Sequence, residues 1–309
     1  MERDVFYLEC KSFLDNFEHY LDYNEIKEAL SRIASIDYEI HGCDYPLHIE
    51  FIEDERLGNM GKVDNHLIYF NSLRIETLKK LRIDCFDEGH LEKIYKFYNN
   101  YNNKKTHNKY EKCLYDFMDR YISIGAEKYF KQMGSYKNTK FELLETILHE
   151  DQHIFQSSLR RKMNDGVDLN ASNPLDVFIA VFSQIYSKLN ENNIPFEYER
   201  VNYIYPIEFD ARYNAMLHMQ ELRKNYYKND KIMKRAIVNS NIIPEDINIK
   251  EVSEGTFDKY LYLYDIYDAN FENSLDKCHK FLLKNKENII KELIYRYKTM
   301  LDIVKDNQI

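Results

Sequence analysis

Tryptophan is absent, and only 8 glycines and 5 prolines occur in 309 residues. So few turn formers exclude a turn-rich β-sandwich or a low-complexity linker and leave a chain that is mostly helix. Cysteine is scarce too. Cys10, Cys43, Cys85, Cys113 and Cys278 are odd in number, widely spaced and form no CxxC or CxC pair, which excludes a zinc knuckle or dithiol redox site and fits reduced thiols in a cytoplasmic protein. No run approaches 18 consecutive apolar residues, and "MERDVFYLECKSFLDNFEHY" at the start carries acidic residues where an export signal needs an unbroken apolar stretch. Neither a membrane span nor an export signal is expected.

A concentrated basic surface is also missing. Asp and Glu number 52 against 43 Lys and Arg, a formal charge of −9, which argues against nucleic acid as a partner. The one basic cluster, "RRK" at 160–162, closes a helix, where cations offset the negative end of the macrodipole.

What is present is enough apolar residue, 44 %, for a core without crosslinks. The expected architecture is mainly α with a small β-sheet, a single domain over 1–309: N-terminal helices over 1–40, a core over about 45–225 and a C-terminal helical region over 226–309. Phe13, Leu14, Phe17, Leu21, Ile26, Leu30 and Ile33 recur at helical spacing. "YPLHIEFIED" alternates apolar and polar residues, and after a turn containing Gly58 and Gly61 "NHLIYFN" is a second β-favouring run. A sheet of two to four strands follows from these. The polar stretch "YNNYNNKKTHNKYEK" (98–112) reads as an exposed loop between helices. Pro174 and Pro206 each open a helix at a position where proline is tolerated, and the chain after about 228 forms several amphipathic helices without a chemical motif.

"LETILHEDQHIFQSS" (144–158) stands apart. Thr139 and Glu142 form a capping box before it, and Gly166 follows its last turn. His149-Glu150-Asp151-Gln152-His153 is HExxH, which random order yields about 0.03 times in such a chain. On a helix, residues i and i+4 share a face, so both imidazoles can converge on one zinc ion while Glu150 leans toward water at an open coordination position. Leu144, Ile147, Leu148, Ile154, Phe155 and Leu159 recur around the histidines, which puts the motif on a partly buried helix. Gln156 and Leu159 stand where the longer metzincin motif requires glycine and histidine, so a third ligand must come from elsewhere. Glu208, in the first turn of the helix opened by Pro206, is the preferred donor.

The arrangement resembles zincin metallopeptidases of the gluzincin type, in which a small sheet precedes the HExxH helix and a later helix supplies a glutamate from an E-x-x-A-like segment, here Glu208-Phe209-Asp210-Ala211. It is also similar to small metallopeptidase domains associated with phage repressor cleavage and stress response. The resemblance spans about residues 45–225. It implies His149, His153 and Glu208 as zinc ligands, Glu150 as general base and a peptide or protein substrate. Arg212 departs from the pattern, standing where an acidic residue commonly orients a ligand histidine, and Asp210 or Glu145 is the substitute on offer. A tyrosine or histidine near Glu208 is expected to stabilise the oxyanion, with Tyr205 preferred over Tyr203, Tyr213 and His218. Two other readings stay open. One is a non-catalytic helical interaction protein, or a degenerate zincin whose HExxH is structural or vestigial; the other is a toxin peptidase exported by a non-classical route.

Overall fold

The computed structural model describes residues 2–41, 48–57, 60–64, 67–81, 83, 88–123, 136–164, 169, 172–196, 205–239, 241, 243–244, 246–271 and 275–308. It is mainly helical with one small sheet. Contacts divide the chain into two compact units: one comprises Met1–Glu150 and Glu221–Asn239, the other Asp151–Gln220 and Ser240–Gln308.

In the first unit, α1 (Glu2–Asn16) and α2 (Tyr23–His41) pack together. Ile26, Ala29, Leu30, Ile33 and Ala34 are buried, the i, i+3, i+4, i+7, i+8 stripe of an amphipathic helix. Leu21 breaks the expected period. It is 89 % exposed because it lies in the turn before α2, where Asp22 accepts from the backbone N–H of Asn24 and Glu25 at 2.8 and 3.1 Å and so caps the helix after Leu21.

Strands β1 (His48–Ile52), β2 (Gly61–Asp64) and β3 (Leu67–Asn71) form a sheet of order β1-β3-β2. β1 runs parallel to β3 and β2 antiparallel to it. Ile49 and Ile68 are paired and buried, and Phe51 stacks on Phe70 at 5.5 Å. Gly61 therefore belongs to a strand paired with Phe70 and not to the expected turn; Gly58 lies outside the described residues. Asn71 ends β3 and caps α3 (Ser72–Lys80) by accepting from the Arg74 N–H at 3.2 Å.

α4 (Glu88–Tyr101) and α5 (Lys109–Ile122) occupy most of the stretch expected as a loop, which shrinks to 102–108. Asn108 and Glu111 form a capping box, and the Tyr98, Tyr101 and Tyr115 rings stack between the two helices. The Asn/Lys composition marks helix surface and a cap as well as a loop. Leu57, Leu73, Leu78, Leu114, Phe117 and Met118 are a buried cluster below them.

α6 (Thr139–Asn164) starts in the first unit and continues into the second, with Arg161 and Lys162 in its last turn. Thr139 is buried, and the Glu142 carboxylate accepts from Arg74 at 2.8 Å. Gly166 is outside the described residues.

The second unit is built around α7 (Pro174–Glu191), whose Leu175, Phe178, Ile179, Val181, Phe182 and Ile185 are all buried. A helix apolar on every side belongs in a core. Asn173 caps it, accepting from Leu175 N at 2.9 Å, with Pro174 at its first position. α8 (Pro206–Tyr226) passes from this unit into the first, which also holds α9 (Lys231–Asn239). α10 (Ile249–Asn270), α11 (Asp276–Lys284) and α12 (Lys286–Asn307) all pack on α7, with Phe178 stacked on Phe257 at 5.6 Å and Phe209 on Tyr297 at 4.1 Å. Among the described residues, no helix is long and apolar enough to cross a membrane. Cys10, Cys113 and Cys278 are free thiols; Cys43 and Cys85 lie outside the described residues.

Candidate metal centre

The HExxH run lies in the middle of α6. Leu144, Ile147, Leu148 and Ile154 are buried around it, as are His149, Glu150 and Asp151, while His153 is partly covered. Four residues are slightly more than one helical turn, so the two imidazoles project from a common face.

Glu208 is the third residue of α8, which Pro206 opens with a φ already suited to a helix. A carboxylate in the first turn is favoured by the positive end of the macrodipole. Its Oε1 lies 3.3 Å from Nε2 of His153, and its side chain is 49 % exposed. One ligand atom from each of His149, His153 and Glu208 lies within 4.8 Å of the others. Exposure rises from His149 through His153 to Glu208, so the group has a dry end and a wet end. Two imidazole nitrogens and one carboxylate oxygen make the donor set of zinc sites that keep an open position. The residues fit that ion.

Beside His153 lies a layer of buried polar side chains in the second unit. Gln156 Oε1 is 3.0 Å from His153 Nδ1. The Gln156 amide nitrogen donates to Asp210 Oδ2 at 2.7 Å and to the Ile207 carbonyl at 3.2 Å, and Gln152 donates to the same Asp210 oxygen at 2.7 Å. The other oxygen, Oδ1, accepts from the Arg296 guanidinium of α12 and from Asn214 at 3.3 Å. Burial pulls the Arg296 guanidinium down, but Asp210 and the hydrogen bond to Glu292 outweigh it and hold the group above the usual arginine range. This arginine also lies over the Tyr213 ring, 4.8 Å from its centroid.

The structure thus brings His149 and His153 of α6 together with Glu208 of α8, and Glu150 follows His149 on α6. Asp210 serves His153 through Gln156 instead of directly, and Glu145 adds to the lift of the Glu142 carboxyl. Tyr205 stands immediately before Pro206, its ring edge-on to Phe182 at 5.7 Å and tilted against Tyr186 at 4.9 Å; Tyr203 lies outside the described residues. Sequence reasoning missed Gln156 and Arg296. Gln156 had a usable signal, standing three residues after His153 and so on the same helical face. Arg296 had none, since 86 residues separate it from Asp210. No family model, no curated protein and no solved structure matches this chain.

Proposed function

We propose that this chain is a cytoplasmic zinc-dependent peptidase with a gluzincin-like core. The observation that carries the reading is the meeting of Glu208 with the HExxH histidines: a carboxylate from a second helix has a ligand atom within 4.8 Å of theirs.

In this reading His149, His153 and Glu208 hold the ion. When bound, zinc supplies Lewis acidity, polarising the scissile carbonyl and making water a better nucleophile near neutral pH. Glu150 takes the proton released by water on its carboxylate and returns it to the leaving nitrogen as the C–N bond breaks. Burial of Glu150 limits the access of bulk water to that carboxylate. The Glu208 side chain is half-exposed, and a substrate would approach the ion from that side.

Elemental analysis of the purified chain tests the first part: about one zinc per chain is expected, lost in His149→Ala and in His153→Ala. A peptide library tests the second. Cleavage by the wild type that disappears in Glu150→Gln, with zinc retained, supports the peptidase; zinc bound without any cleavage replaces it with a structural metal site.

A further inference from the structure

We propose that Gln156 is a positioning residue that keeps the His153 proton on Nδ1 and presents a bare Nε2 to the ion, and that Asp210, anchored by Arg296 of the last helix, holds Gln156 in that orientation. The inference rests on the zinc reading above and adds the device that prepares one ligand.

The orientation of the Gln156 amide follows from its partners. Its nitrogen faces Asp210 Oδ2 and the Ile207 carbonyl, and both only accept hydrogen bonds. A flipped amide would set oxygen against two acceptors. The oxygen therefore faces His153 Nδ1 at 3.0 Å, and because that oxygen can only accept, Nδ1 carries the hydrogen. In a neutral ring the other nitrogen is then an acceptor. It points at Glu208 Oε1 across 3.3 Å, a separation that is favourable either with a metal ion shared between the two or with a second proton on the ring, which makes an imidazolium–carboxylate pair. Ligand histidines are commonly oriented by a direct bond to a carboxylate or a backbone carbonyl. Here a side-chain amide is interposed, and the negative charge stands one residue further back, neutralised by Arg296.

A natural control exists in the same network. Gln152 and Gln156 are both buried and both donate to Asp210 Oδ2 at 2.7 Å, but the bond to His153 Nδ1 comes from Gln156. Gln156→Met and Gln152→Met each remove one such bond with little change of volume. Zinc affinity of the full chain, measured by competition with a chromophoric chelator, should fall about 10- to 100-fold in Gln156→Met and stay within about threefold of wild type in Gln152→Met. Equal losses, or none, overturn the assignment and reduce the network to a structural one. Ring-nitrogen NMR of His153 in the metal-free chain at pH 8 is the second readout: Nδ1–H in the wild type and in Gln152→Met, with a tautomer mixture in Gln156→Met, is expected. A wild-type ring protonated on Nε2 refutes the proposal even if Gln156→Met does not fold. A wild-type chain with the expected tautomer that binds no zinc leaves the positioning intact and removes the peptidase reading instead.

Discussion

The guanidinium of Arg296 bonds the carboxylate of Asp210, 86 residues earlier in the chain, and both groups are buried. Removing one partner of such a pair leaves an uncompensated charge in a poorly solvated place, whereas removing both leaves a gap that apolar atoms can fill. Arg296→Met is expected to lower stability by about 3–5 kcal/mol, and Asp210→Asn combined with Arg296→Met by clearly less. Urea unfolding of the wild type, both single variants and the double variant checks this, and a double variant as unstable as the sum of the singles contradicts it.

Glu150 and the ligands should separate cleanly in kinetics. Replacing a general base costs about 10²- to 10⁴-fold in rate, so Glu150→Gln should lose that much kcat on any cleaved peptide while zinc content stays near one per chain. Glu208→Gln keeps the shape but removes the anionic donor, and zinc should then dissociate more readily. A Glu150→Gln chain that has lost its zinc would place this residue among the ligands.

Zinc should also stabilise the fold that holds it. An ion bound only by the folded chain adds about 2.7 kcal/mol when present at a hundredfold its dissociation constant. Thermal unfolding is therefore expected at a higher temperature with zinc than with EDTA, and the difference should vanish in His153→Ala. A chelator effect that persists in this variant points to metal bound elsewhere.

Burial lifts the Glu142 carboxyl from 4.5 to about 7, against the opposing pull of Arg74 and with a further push from Glu145. Between those two values the folded chain holds more of this proton than the unfolded one. The contribution of Glu142 is thus most favourable below about pH 4.5, declines as pH rises toward 7 and is level above it. The stability difference between wild type and Glu142→Gln should fall by roughly 2–3 kcal/mol across that window. Denaturant unfolding at a series of pH values measures it, and a difference that rises with pH has the wrong sign.

Two leucines of the same apparent periodicity should behave differently. Leu21 is 89 % exposed and Leu30 is fully buried. Leu21→Gln should change stability by no more than about 0.5 kcal/mol, whereas Leu30→Ala should cost about 2–5 kcal/mol through the cavity it leaves. Chemical denaturation of both variants decides.

Much of the helical part was legible because local signals there coincide with packing. The stripe Ile26, Leu30 and Ile33 is buried as its spacing requires, and Pro174 and Pro206 start helices where proline's missing N–H does no harm. Legibility failed where two structures share one composition. The Asn- and Lys-rich stretch after Tyr98 reads as loop, yet the stacking of tyrosines between α4 and α5 keeps most of it helical. Nor does any local signal show that Glu142 meets Arg74, 68 residues earlier. β2 was hidden behind Gly61, since a short strand shows itself only through its pairing with β3.

The sequence by itself determined the helical character and the common face of His149 and His153, because helical period and capping act over a few residues and need no knowledge of the rest of the chain. It also made Glu208 the candidate third donor, through its place in the first turn of the helix opened by Pro206. Tertiary packing alone decided that Glu208 and His153 meet, that Gln156 stands between His153 and Asp210, and that Arg296 neutralises that aspartate. Those relationships depend on how α6, α8 and α12 settle against their neighbours, and the burial of apolar faces that sets this is a sum over many weak contacts that no short stretch of residues displays.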